Sequence, residues 1–305
     1  MDVSLDTADG LELTGAGVRR RGPWRQALGR LRRRPLGIAA LAVVCAFFVV
    51  GALADVLAPY PAGQTFLEFI TRPQPPLTPG HLLGTDYLGR DFLTQLLFAI
   101  RQSAELALVA MLGASAIGVV VGTLAGYYGG VIDAALSWLT GIVVTVPAIA
   151  VVLLVVVYSW PVSPVGFGLA LMLYLWTTVA RAVRASVASL RVREFVEAAH
   201  AAGASDARVL VRHLLPNSLG TVIVATTGLV GQSIGIVATV TFFGYGTVQS
   251  EKPTLGSMIA SAVPGPGVPW WLGYLPIAIL VLLVVCVNFA GDTLDDALNP
   301  RQSRL

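Results

Sequence analysis

The chain is poor in charge: only 12% of its 305 residues are Asp, Glu, Lys or Arg, about half the share of a soluble domain. Apolar residues make up 55% of it, and mean hydropathy is +0.76. An ordinary soluble enzyme is excluded on that ground. Lysine is all but missing, with Lys252 the single example. A phosphate-binding G-x-x-x-x-G-K-[ST] loop needs Lys followed by Ser or Thr, but Lys252 precedes Pro253, so any ATP-driven work requires an ATPase on another polypeptide. The two cysteines, Cys45 and Cys286, each lie inside an apolar run and support neither a disulfide framework nor a zinc site. The three histidines, His81, His200 and His213, are too dispersed for a metal centre. Net charge is +3, and no basic run of the kind that binds nucleic acid stands outside the membrane-flanking segments.

What the chain does have is long apolar runs. A span needs about 20 such residues, and six stretches qualify: 36–58, 103–126, 134–158, 165–180, 219–244 and 271–291. The fourth is short and requires its helix to continue through Arg181. Six spans put both termini on one side, and basic residues choose the side. Sixteen of the twenty fall in the N-terminal segment, the 181–218 loop and the C-terminal tail; Arg72, Arg90, Arg101 and Lys252 fall opposite. The expectation is therefore that both termini and that loop are cytoplasmic. A signal peptide is the alternative for the first span, since Ala52-Leu53-Ala54 imitates a cleavage site, but the apolar run is too long for one.

Within the spans, Gly118, Gly122 and Gly126 line one helix face and suit close packing, either within the chain or against a second subunit. Pro147 should kink the third span. Gly231-Gln232-Ser233-Ile234-Gly235 matches the G-x-S-x-G nucleophile pattern, but it lies mid-span, and all three histidines lie in loops, so an intramembrane hydrolase is disfavoured. Thr226, Thr227, Gln232, Ser233 and Thr239 are polar groups in the fifth span. They fit a translocation path, and helix-to-helix hydrogen bonds fit them nearly as well. A secondary transporter would place charges within the spans, and few are there.

The 181–218 loop reads as a helix over 191–202, a break at Gly203, and a second helix capped by Ser205 and stopped at Pro216. A helical elbow of this size fits a groove in a partner protein or, with Arg193, Arg208 and Arg212, the membrane surface. Before the second span, 59–102 is thick with proline; its first half reads as extended and the stretch not as a folded domain. Asp86 and Arg90 are spaced to pair on a helix, and Phe92 to Ile100 is apolar enough for an elbow helix on the membrane surface. Trp270 and Trp271 fit an aromatic belt.

Several blocks carry a resemblance. Glu197-Ala198-Ala199, then Gly203, then Leu215-Pro216 reproduce the EAA loop of binding-protein-dependent ABC importer permeases. Arg181, Arg184, RHLLPN from Arg212 through His213 and Pro216 to Asn217, and GHLLGTDYLGRD from Gly80 to Asp91, with Gly84, Asp86, Gly89 and Arg90, look more narrowly like its DppC/OppC branch. So does NFAGDTLDDALNPR from Asn288 to Arg301, with Gly291 and Asp292. That branch comprises the C-type permeases of dipeptide, oligopeptide and nickel importers. The chain departs from the branch's pattern at Gly141, Leu255 and Asp295.

The resemblance implies an all-α integral membrane protein of the type I ABC importer permease fold, forming half of a path for peptides or, alternatively, nickel or another small solute. It divides the chain into an Arg-rich segment 1–35, a first helix 36–58, an extracytoplasmic stretch 59–102, a five-helix core 103–291 containing the 181–218 loop, and a tail 292–305. Glu194, Glu197, Ala198, Ala199, Gly203, Ala204, Ser205 and Arg208 would dock on the ATPase. The implied partners are a second, B-type permease, one or two ATPase subunits that bind ATP and Mg, an extracytoplasmic binding protein and membrane lipid. No cofactor is implied in this chain.

Overall fold

The computed structural model describes residues 29–158, 164–245, 253–262 and 267–298, and among them it is helical with no strand. In order, the elements are α1 (Pro35–Ala52), α2 (Ala54–Leu57), α3 (Phe92–Tyr128), α4 (Gly130–Thr145), α5 (Ala148–Tyr158) and α6 (Pro164–Arg191). There follow α7 (Glu194–Ala201), α8 (Asp206–Val209), a π-turn over Leu210–Leu214, α9 (Leu215–Phe242), α10 (Leu255–Ser261) and α11 (Trp270–Leu298). Five helices are long and apolar enough to cross a membrane, and the bent pair α4 and α5 makes six when counted as one span.

The spans differ from the hydropathy reading at their ends. The second begins at Phe92, not 103, because Asp91 caps it: the Thr94 N–H donates to Asp91 Oδ1 at 2.8 Å. Phe92 to Ile100 is thus the first part of α3, and no elbow lies there. The first span closes at Ala52, with α2 a separate turn before 58. The third is broken rather than kinked: α4 and α5 meet at 81° across Val146 and Pro147. Pro147 has no N–H to bond back into α4, and Val146 before it is extended (φ −83°, ψ 129°), the backbone a following proline favours. The fourth does run on through Arg181, to Arg191.

A seam of small residues fixes α3 to α6. A Cβ on Gly118 would lie 2.6 Å from Val179 Cβ, one on Gly122 2.5 Å from the Ala180 carbonyl oxygen, and one on Gly126 2.7 Å from that of Arg184. The stripe is therefore spent within the chain, as close backbone approach between helices. Behind it Leu171, Leu175, Val179, Val183 and Val187 form a buried core that takes in Val196 and Val209 from the short helices. A second core joins α1, the start of α3, the end of α9 and α11 through Phe47, Ile100, Ile234, Leu283 and Val287. The two ends of the described chain meet: Arg34 pairs with Asp296, and Arg30 Nη1 donates to the Ala297 carbonyl at 3.2 Å. Six crossings put this contact at the same end of the bundle as α7 and α8.

The segment before α3 is compact, not extended. A 3₁₀ turn at Leu67–Phe69 and single bridges Ile70 to Leu88, Thr78 to His81 and Thr85 to Asp91 fold it into a cap. Of the two tryptophans at the start of α11, Trp270 is exposed and Trp271 is buried, so only the first has the belt position.

Candidate coupling loop and translocation face

The loop between α6 and α9 is built from a short amphipathic helix and a glycine stop. Glu194 and Glu197 occupy the first turn of α7 and are exposed, where carboxylates meet the positive end of the helix. Val196 points inward at 3% exposure and anchors the helix on the main core. Ala198 is exposed and Ala199 half-buried. The Gly203 N–H bonds to the His200 carbonyl at 2.8 Å, and the Ala204 N–H to that of Ala199 at 3.0 Å. Together they are the two reverse bonds of a Schellman stop. Gly203 sits at φ +80°, the left-handed conformation that this stop requires, with no other atom crowding its open side. Ala199 and Ala204 both pack on the core, completing the apolar contact that accompanies such a stop.

Two expectations for the loop fail. Ser205 has the extended backbone of a cap (φ −70°, ψ 156°), but its side chain makes no capping bond; the cap is backbone only, through the Val209 N–H to the Ser205 carbonyl at 3.0 Å. Pro216 does not stop a helix. It occupies the first turn of α9, and helix runs from Asp206 to Phe242 because a π-turn at Leu210–Leu214 absorbs the residue whose bonding proline would interrupt. Asn217 Nδ2 donates to the His213 carbonyl at 2.7 Å across this junction. Arg208 is exposed on α8.

Sequence reasoning missed the residues that tie the loop to the bundle. Tyr127, at the end of α3, donates its hydroxyl proton to Asp206 Oδ1 at 2.6 Å, and His200 Nε2 lies 3.2 Å from the same hydroxyl. Arg191, closing α6, donates to the Tyr127 carbonyl at 2.9 Å. Tyr127 ends an apolar run and belongs to no recognised spacing, so nothing in one dimension marks it. Nearby, Arg184 grips Asp133 of α4 side-on through Nε and Nη2, and the Ser137 hydroxyl donates to the carboxylate at 3.0 Å. Arg181 is exposed beside them, on a cleft of about 210 Å³ whose walls include Gly122, Thr140 and Gly141.

The Gly80-to-Asp91 block is gathered in the cap at the other end. Asp86 and Arg90 pair at 2.8 Å, but on a turn instead of a helix: Asp86 Oδ1 also accepts from the N–H of Leu88 and of Arg90. Gly84 has φ +79°, and a Cβ there would collide with the Gln74 carbonyl oxygen. Gly89 faces the Phe66 carbonyl in the same way. His81 Nδ1 meets Asp91 Oδ2 at 2.9 Å inside a box made by Tyr60, Phe66 and Phe69. In α11, Asp292 is exposed and Gly291 half-buried.

The five candidate path residues of the fifth span are not equivalent. Thr226 meets Ser115 of α3 at 2.9 Å, an interhelical bond. Thr227 and Thr239 donate to the carbonyls of Ile223 and Gly235 in their own helix. Ser233 is wholly buried and, among the described residues, its hydroxyl has no partner, so the nucleophile pattern around it has no base there. Gln232 alone of the five is exposed.

With this geometry in place, comparison with known proteins is direct. Residues 118–304 match the binding-protein-dependent transport system inner membrane component family, and residues 22–76 the N-terminal transmembrane domain of oligopeptide transport permease C. The oligopeptide transport system permease protein OppC of Mycobacterium tuberculosis is 32% identical over 90% of this chain and 94% of its own length. The dipeptide permease DppC of Alkalihalophilus pseudofirmus is 32% identical over 92% and 90%. The glutathione permease GsiD of Pectobacterium atrosepticum is 29% identical over 92% of each. A chain of the MetNI methionine ABC transporter, in an inward-facing conformation, superposes with a TM-score of 0.56 at 19% identity, covering 67% of this chain and 96% of that one. The fold is thus the ABC importer permease fold, and the chain belongs to the family of binding-protein-dependent transport system inner membrane components, as a multi-pass membrane permease subunit of an ABC importer.

Proposed function

We propose that this chain is the C-type permease of an importer for di- and oligopeptides, and that α7, its Schellman stop and α8 form the surface on which an ATPase subunit docks. The observation that carries this reading is the exposed elbow itself. Glu194, Glu197, Ala198, Gly203 and Arg208 face outward, while Val196 and Val209 seat the elbow on the buried core, so a push on its outer face reaches the spans. Small alanines permit close approach, and the two carboxylates offer charge-assisted bonds to a partner. The arginine imbalance puts this end in the cytoplasm. ATP and Mg then act in the partner, and a B-type permease completes the path. An external binding protein delivers the solute. The peptide assignment rests on relatives named for oligopeptides, dipeptides and glutathione, all of them peptides.

On the path, Gln232 is the residue we assign, since the other four candidates bond within the protein or lie buried. Gln232→Cys should react with a membrane-impermeant thiol reagent in at least one nucleotide state; silence in all states removes it from the path. The reading as a whole is tested by purifying the solubilised protein from its native membrane as wild type and as Gly203→Asp. Wild type should bring down a second permease and an ATPase. The variant adds charge and backbone strain at φ +80° on the docking face and should lose the ATPase. A chain that purifies alone in both cases overturns the proposal.

A further inference from the structure

We infer that Tyr127 is a positioning residue for coupling: its side-chain hydroxyl keys the loop that we propose receives the ATPase to the end of α3, and so to the α3–α6 pair. This rests on the docking role proposed above and specifies where the push goes. Three segments meet at that one hydroxyl. It belongs to the last turn of α3, it donates to Asp206 at the first turn of α8, and it touches His200 at the last turn of α7. Its own main chain is held in turn by Arg191 from the end of α6. All four ends are thereby bound within a few ångströms, on both sides of the glycine stop.

The partners allow more than one arrangement. His200 Nδ1 lies 3.0 Å from the Val196 carbonyl, which can only accept, so this nitrogen carries a proton. In the neutral ring Nε2 is then an acceptor, and Tyr127 has a single proton to divide between it and Asp206. In the imidazolium Nε2 also donates, towards Asp206 at 3.4 Å, and the hydroxyl is shared by a closed ring of three groups. The titratable and charged groups facing His200 are Tyr127 from α3 and Asp206 from α8, with Arg191 one step behind. Either arrangement keeps α7 and α8 registered on α3, and the seam of Gly118, Gly122 and Gly126 makes α3 and α6 one body. A displacement of the loop is therefore delivered to that body at Tyr127 as well as to α9 through the π-turn.

The experiment uses the assembled transporter in liposomes and compares wild type with Tyr127→Phe, Asp206→Asn and the pair. Phe keeps the ring and removes only the hydroxyl. Solute taken up per ATP hydrolysed should fall by about fivefold in Tyr127→Phe, the equivalent of one net hydrogen bond, and the double variant should fall no further than the worse single one. A second readout is the distance between spin labels at Tyr128→Cys and Ala202→Cys, which should be narrowly distributed in wild type and broaden when the hydroxyl is lost. An unchanged uptake ratio, or additive losses with an unchanged distance distribution, overturns the inference. Failure of the ATPase to accompany even the wild-type chain is a different result and strikes the docking proposal instead.

Discussion

A histidine–aspartate pair holds each end of the molecule. At the cap end His81 and Asp91 have side chains 4% and 1% exposed, walled by three aromatic rings; at the coupling end His200 and Asp206 are 41% and 55% exposed and share a tyrosine. The chemistry is the same and the surroundings differ. Inside the cap an unpaired polar atom has no water to turn to, so the pair is structurally obligatory. At the coupling end water competes for every bond, so the ring can rearrange with little effect on the stability of the fold. One end is built to stay; the other is the end that we propose a partner moves.

That comparison breaks first at Asp91. Asp91→Ala strips the N-cap of α3, about 1 kcal/mol, and leaves His81 buried without its partner, about 2 kcal/mol more. Thermal unfolding of the detergent-solubilised protein should show the resulting large loss of stability. Gly84→Ala comes next: left-handed backbone for a residue with a Cβ, together with the collision against Gln74, should cost about 2 kcal/mol by the same assay. Asp206→Asn should leave the unfolding temperature where it was, although uptake per ATP drops; a variant that unfolded as readily as Asp91→Ala would erase the contrast. The mildest probe is salt. Raising ionic strength from about 0.1 to 1 M shortens the screening length from about 10 to 3 Å. Amide exchange should quicken over Ala198 to Val209 and stay unchanged over Leu88 to Gln95.

Much of the bundle is legible because hydropathy reports directly on crossing length: each span begins or ends within a few residues of its apolar run. The glycine stripe was legible as a packing face, although only the fold shows that α6 occupies it. Proline misled twice. Pro147 on its own predicts a kink, but a missing N–H together with an extended Val146 separates the helix into two. Pro216 on its own predicts a stop, but the π-turn before it lets helix continue, and no local preference announces a π-turn. The prolines before α3 suggest an extended first half of that segment, whereas Tyr60, Phe66, Phe69 and His81 collapse around one another over distances in sequence that spacing rules do not address. The loop's glycine stop was readable from Gly203 alone. Tyr127 is not, because its contacts exist only where four helix ends converge.

The angle between α4 and α5 also bears on the lipid around the protein. At about 1.5 Å per residue, sixteen residues of α4 extend roughly 24 Å, and the eleven of α5, turned through 81°, add only about 3 Å along the same axis. The pair thus reaches about 27 Å along α4, a little less than the 30 Å or so of a typical hydrocarbon layer. α3 beside it extends for 37 residues. A bilayer that meets the bent pair has to thin or tilt its acyl chains to match it, so the working rate of the protein should vary with the acyl-chain length of the vesicles that hold it.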